Sequence, residues 1–174
     1  MTEAAVTIKK CTSKDLSELL GLARDTFVET FGHLNDPLHF DAYVEKAFAE
    51  EQMRKELENP DSHFYFAYYR HQLAGYLKLN LAPAQSDIND PESLEVERIY
   101  VVGPYHGKGL GKTLFQRALD MAHEKRLSYI WLGVWEHNTK ALRFYESYGF
   151  YRFAQHPFKL GDDLQTDWLM RLDL

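Results

Sequence analysis

The 174-residue chain is 45% apolar and 26% charged, without repeats or low-complexity tracts, which suits one globular domain with a sizeable core. Its net charge of −6 argues against a nucleic-acid partner, which asks for a clustered basic face, and mildly favours a cationic small molecule. The opening MTEAAVTIKK has no apolar signal core, and no run approaches the roughly 20 apolar residues of a membrane span, so a cytoplasmic protein without membrane attachment is expected.

Residues 5–11 (AVTIKKC) read as a first strand, with Cys11 a small buried hydrophobe that has no disulfide partner in the chain. Thr12-Ser13-Lys14-Asp15 opens a helix, Ser13 serving as cap, and Leu16, Leu19, Leu20, Ala23, Phe27 and Phe31 give it an apolar face up to Gly32. A second helical region spans 38–58, in one or two pieces, and Asn59-Pro60-Asp61 turns the chain. Runs 63–69 and 72–80 form a hairpin about Arg70-His71. The acidic loop 82–92 follows. Its Asp87, Asp90 and Glu92, like Asp36, Asp41 and Glu45 earlier, read as solvated surface rather than as site residues. The eight histidines are scattered singly, none at zinc spacing, so no metal site is expected.

Residues 94–102 alternate apolar and polar like a strand, and Gly103-Pro104 stops them. Gly107-Lys108-Gly109-Leu110-Gly111-Lys112 then runs into a helix whose Leu110, Leu114, Phe115, Ala118, Leu119 and Ala122 share one face. A glycine-rich turn at a helix start presents unpaired N–H groups and the positive end of the helix dipole, which suits a pyrophosphate. It is not an ATP loop, because the leading glycine would fall on His106. Nor is it a dinucleotide loop, because Gly109-Leu110-Gly111 is followed by Lys112, Thr113 and Leu114. Residues 129–135 form another strand, Asn138 opens a further helix, and runs 151–160 and 166–172 close the chain around Gly161-Asp162-Asp163.

The segment His106-Gly107-Lys108-Gly109-Leu110-Gly111 resembles the acyl-CoA loop of the GNAT N-acetyltransferases, Gln/Arg-x-x-Gly-x-Gly/Ala, with His106 at the departing first position. Downstream, the stretch from Asn138 to Phe150 resembles that family's second signature, Asn-x-x-Ala-x-x-Phe-Tyr-x-x-x-Gly-Phe, at every defined position. The phrases SLEVERIYV, IWLGVWE and GDDLQTDWLM resemble the PaiA-type polyamine N-acetyltransferase group, a likeness that runs over nearly the whole chain. The resemblance implies a single α/β domain, residues 1–174, with a mixed sheet of about seven strands flanked by about four helices. It implies acetyl-CoA as co-substrate, held by Gly107, Lys108, Gly109, Leu110, Gly111 and Lys112, by the backbone of Ile99, Tyr100 and Val101, and by Asn138 and Tyr145. It further implies spermidine or spermine as acceptor.

Acetyl transfer to an amine needs a base, because an amine of pKa about 10 is charged at neutral pH. Glu95 and Glu97 lie two apart on the central strand and so share a face; Glu97 is placed ahead of Glu95 as base. Tyr145, by resemblance, meets the CoA sulfur, and its phenol, protonated at neutral pH, can donate to the departing thiolate. Two other readings stay open: acetylation of another small amine or a protein N-terminus, and a regulator that binds acyl-CoA without turnover. The aromatic-rich strands are compatible with a homodimer.

Overall fold

Apolar periodicity and turn residues divide the chain into β1 (Val6–Lys10), α1 (Leu16–Phe31), α2 (Pro37–Ala47), α3 (Glu50–Glu58), β2 (Ser62–Tyr69), β3 (Gln72–Asn80), β4 (Ser93–Val101), α4 (Leu110–Glu124), β5 (Tyr129–Trp135), α5 (Thr139–Ser147), β6 (Tyr151–Leu160) and β7 (Asp163–Asp173). This computed structural model describes residues 5–174; residues 1–4, the start of the MTEAAVTIKK stretch, lie outside it. The strands form one sheet in the order β1-β2-β3-β4-β5-β7-β6. Every adjacent pair is antiparallel except β4 and β5.

Five α-helices rather than about four flank the sheet, because the region expected at 38–58 breaks between Ala47 and Glu50. Buried Phe48 leaves the helical conformation there, and extended Ala49 caps α3. Asp36 caps α2, accepting from the Leu38 N–H at 3.0 Å. Ser13, expected as the cap of α1, instead begins a short 3₁₀ turn, Ser13–Asp15, that leads into the helix. Thr12 is the N-cap of that turn, and its N–H donates to Asp15 Oδ2 at 2.8 Å. Arg70 and His71 adopt φ of 46° and 69°, the left-handed pair that a two-residue hairpin turn requires.

Both faces of the central sheet are covered, so its strands bury side chains in both directions. On β2, Tyr65 and Ala67 pack toward the cluster built with α4, while Phe64 and Phe66 pack toward the cluster built with α1, α2 and α3. Cys11 is buried in the second cluster, where burial pushes its thiol up to about 12 and leaves it unreactive.

Two irregularities shape the centre. Lys78 pairs with Arg98 and Leu79 with Val96, so Glu97 is an extra residue in β4 without a partner, a β-bulge. The bulge changes the phase of the strand. Leu94 and Val96 face the α4 cluster before it, and Ile99 and Val101 face that same cluster after it, while Tyr100 packs on the other side. The second irregularity is the parallel contact of β4 with β5, which is confined to Ser93–Tyr129, Leu94–Ile130 and Glu95–Trp131. Beyond Glu95 the two strands part, while β5 stays paired with β7 through Trp135.

Candidate active site

Where β4 leaves β5, its backbone has no ladder partner on one side. The Val102 N–H donates to Ala74 O at 2.8 Å, so in the alternating ladder the Tyr100 groups also face β3, and those of Ile99 and Val101 face the gap. A cleft of about 700 Å³ opens there, lined from both faces of the sheet. Leu110, Ala141, Phe144 and Tyr145 belong to the α4–α5 side, and Phe27, Phe31, Tyr43 and Phe158 to the α1–α2 side. The cleft therefore passes through the sheet.

Its α4–α5 side presents backbone N–H groups and cationic side chains. Gly107 and Gly109 take φ of 78° and 84°, a region that L side chains rarely adopt, and a Cβ on either would meet no atom within 4 Å. Gly109 is the N-cap of α4, so the free N–H groups of that helix start open onto this space. Gly111 differs, having an ordinary φ and ordinary contact with Phe144. Lys112, Lys140 and Asn138 also line the cleft. Asn138 caps α5, its side chain accepting from the Ala141 N–H at 3.2 Å. Lys108, expected in the same group, instead lays its ammonium over the Tyr69 ring, 5.2 Å from the centroid, and does not line the cleft.

His106, at the position that departs from the motif, has a defined local job. Its Nε2 lies 2.6 Å from Val101 O, and its Nδ1 lies 3.3 Å from Lys140 Nζ. An ammonium only donates, so Nδ1 accepts and Nε2–H donates to the carbonyl. The imidazole thus ties the glycine loop to the open edge of β4.

The two glutamates occupy different environments. Glu95 is 2% exposed and accepts three hydrogen bonds. Asn80 Nδ2 donates to its Oε1 at 2.8 Å, the Ser86 N–H donates to the same oxygen at 2.9 Å, and the Ser86 hydroxyl donates to Oε2. Burial, with the nearby Glu97 charge, still raises its carboxyl above the usual range against those hydrogen bonds. Glu97 is in a salt bridge with Lys78 and accepts from Asn80 Nδ2 at 2.7 Å. Burial alone would raise it, but Lys78 and Arg98 outweigh that and hold its carboxyl low. Lys78 is itself held by Glu56 at 3.2 Å.

Tyr145 is buried against Phe144 and Phe150, with ring centroids 5.4 and 5.6 Å away. It lines the cleft, no hydrogen bond engages its hydroxyl among the described residues, and burial raises its phenol well above the ordinary value, so it keeps its proton. Ile99, Tyr100 and Val101 line the cleft, together with Glu95 and Glu97.

Sequence reasoning missed Asn80, Ser86 and Lys78, the partners of the two glutamates. Asn80 ends an apolar strand, and a polar residue there is the one available signal. Ser86 lies in the loop 82–92, which reads only as acidic. Of the acidic residues in that loop, Asp87 pairs with His156 at 2.9 Å and Asp90 accepts from the Tyr129 hydroxyl at 2.7 Å. Gln85 pins the loop: its Nε2 donates to Ser93 O at 3.1 Å and its Oε1 accepts from Trp131 Nε1 at 3.0 Å. Among the described residues no group of three or more His, Cys, Asp or Glu is placed to hold a metal ion. No helix there is long and apolar enough to cross a membrane.

A strand with one bare edge, a glycine cradle at a helix start and a cleft through the sheet suit an elongated, phosphate-bearing ligand. The profile of the Acetyltransferase (GNAT) family matches residues 19–150, and the chain belongs to that family. It is an acetyl-CoA-dependent N-acetyltransferase. Over 166 residues it is 44% identical to an uncharacterized N-acetyltransferase of the pepI 3′ region of Lactobacillus delbrueckii subsp. lactis, covering 95% of this chain and 96% of that one. It is also similar to the spermidine N(1)-acetyltransferase of Thermoplasma acidophilum, at 23% identity over 170 residues, 95% of this chain and 96% of that one. The fold matches the crystal structure of PaiA N-acetyltransferase from Thermoplasma acidophilum in complex with coenzyme A. That match has a TM-score of 0.77 and 21% identity, and covers 98% of this chain and all (100%) of the other.

Proposed function

We propose that this enzyme acetylates a primary amine of a small polyamine, spermidine or spermine, by direct attack in a ternary complex. The observation that carries the reading is the division of the cleft. The glycine cradle, Lys112, Lys140 and Tyr145 line it on the α4–α5 side, and buried, hydrogen-bonded Glu95 lies across the gap among the aromatic residues of the α1–α2 side. An anionic donor and a cationic acceptor thus find opposite surroundings. The name of the Thermoplasma relative, a spermidine N(1)-acetyltransferase, supports the acceptor class.

Acetyl-CoA supplies an activated thioester; the chain's residues do the rest. Glu95, directly or through a water, takes the proton from the bound ammonium, and the freed lone pair attacks the carbonyl carbon as the C–S bond breaks. Its raised carboxyl makes it a stronger base than an ordinary carboxylate, which favours Glu95 over Glu97, the reverse of the order expected from sequence. Glu97, neutralised by Lys78, holds the Asn80 amide that in turn holds Glu95. An N–H of the bare β4 edge polarises the carbonyl. The Tyr145 hydroxyl donates to the departing sulfur, and the second proton, shed by the nitrogen as the amide forms, restores the phenol.

The test is product identification: incubation with acetyl-CoA and spermidine, followed by mass spectrometry for mono-acetylated spermidine. Acetylated spermidine from the wild type, at a rate well above that of Glu95→Gln, is expected. Absence of that product would overturn the polyamine reading.

A further inference from the structure

On the α1–α2 side of the cleft one carboxylate is left over. Asp167 lies on β7 opposite Trp135 of β5 and His156 of β6, and it lines the cleft. Glu97 has Lys78, and Glu95 has Asn80 and Ser86, but no hydrogen bond or salt bridge engages Asp167 among the described residues. The cross-strand neighbour His156 is engaged elsewhere, its Nδ1 lying 2.9 Å from Asp87 Oδ2. Space is kept free beside it. Gly133 lines the cleft next to Asp167, and a Cβ there would lie 3.8 Å from Asp167 Oδ2. Tyr43, Phe158, Phe31 and Trp135 line the same side, with Tyr43 against Phe158 at 5.4 Å and Phe31 against Trp135 at 6.5 Å between centroids. A half-buried, unpaired carboxylate among aromatic faces is the environment a desolvated alkylammonium seeks. Burial raises the carboxyl in its absence, as expected for a charge awaiting a counter-ion.

Position adds a constraint. Glu95 pairs with Trp131 and Asp167 with Trp135, so their levels are four residues apart along β5, about 13 Å at ~3.3 Å per residue. The Asp167 side chain leans back toward Gly133, which shortens that span. The two carboxylates therefore stand at separate points of one channel, and a single ammonium does not bridge them.

We propose that Asp167 is the specificity-determining residue of the acceptor site: it binds a second cationic amine, remote from the amine that reacts, and so selects diamines and polyamines over monoamines. This rests on the acetyl-transfer reading above and extends it to a residue.

The experiment compares 1,4-diaminobutane with n-butylamine, which has the same carbon chain and no second cation. For wild type, Asp167→Asn and Asp167→Glu, kcat and KM are measured with each amine, and binding of each amine to the CoA-loaded protein is measured by calorimetry. Loss of one charge-assisted hydrogen bond should lower the diamine-over-monoamine ratio of kcat/KM by about tenfold in Asp167→Asn, through the KM of the diamine. Asp167→Glu should recover part of the ratio. An unchanged ratio, or a fall in kcat shared by both amines, overturns the assignment while leaving acetyl transfer standing. If the wild type releases no thiol with any amine, the acetyl-transfer reading fails instead. Calorimetry then decides for Asp167: tighter diamine binding to wild type than to Asp167→Asn supports it, and equal binding overturns it.

Discussion

Ser86 grips Glu95 by two hydrogen bonds, its N–H to Oε1 at 2.9 Å and its hydroxyl to Oε2. The loop that carries Ser86 is pinned by Gln85 to Ser93 and to Trp131, so the grip depends on packing and not on a flexible chance contact. Hydrogen bonds to a carboxylate favour its charged form, and here they oppose the burial that raises Glu95. Ser86→Ala removes one of them and should raise the Glu95 carboxyl further. A base works only when deprotonated, so the acid limb of kcat/KM should move to higher pH while the rate on the alkaline plateau falls little. A pH–rate profile checks this, and a limb that stays in place, or moves to lower pH, contradicts it.

The two glutamates should separate on substitution. Glu95→Gln removes the proposed base and should lower kcat/KM by about 10²-fold, the low end of general-base effects. Glu97→Gln leaves Lys78 with one partner fewer and should cost about 1–3 kcal/mol of stability, with a smaller loss of rate. The pH dependence of that cost has a sign. Burial would raise the Glu97 carboxyl, but Lys78 and Arg98 hold it low, so its contribution is complete above the ordinary carboxylate range and is lost as pH falls through the depressed value. Wild type and Glu97→Gln should converge in acid. Denaturant melts at neutral and acid pH, with kinetics on both variants, check the pair; a larger rate loss in Glu97→Gln would return the base role to Glu97.

Tyr145→Phe keeps the ring packing with Phe144 and Phe150 and deletes only the hydroxyl. Acetyl-CoA affinity should hold, and kcat at neutral pH should fall by roughly 10²-fold, as for loss of a general acid. Steady-state kinetics beside direct binding measurement separate the two effects. Turnover at the wild-type rate would remove Tyr145 from the proton path.

How far the sequence reaches is clearest at these positions. Gly107 and Gly109 announce themselves, because a left-handed turn into a helix leaves few other residues possible, and the structure gives both positive φ. Asn138 as a helix cap is likewise legible, and the hairpin turn at Arg70-His71 follows from the two strands around it. The bulge at Glu97 is not legible. A period of two carries no mark of an extra residue, and the opposing Leu79 and Lys78 are known only once the register is set. Ser86 and Asp167 escape for a related reason: one sits in a loop, the other on β7, which lies between β5 and β6 only in the folded sheet order. Lys108 shows the converse, since a lysine inside an anion-binding motif can still turn its side chain to a tyrosine outside the cleft.

Gly109 allows the charge and the conformation of the loop to be tested apart. Asn and Asp both tolerate the left-handed region better than other side chains, and a Cβ at Gly109 points into open space. Gly109→Asn should weaken acetyl-CoA binding modestly, and Gly109→Asp by at least about tenfold more, because its carboxylate faces the phosphates at close range in low salt. Equal losses in calorimetry, or no loss in either, would place the pyrophosphate elsewhere.

The most direct test of the account is release of free thiol from acetyl-CoA, with spermidine, spermine and a panel of monoamines and N-terminal peptides offered separately. Rapid release with the two polyamines, and slow release with the rest, is the predicted result. Release that is fastest with a monoamine or a peptide, or absent with both polyamines, would contradict the polyamine reading.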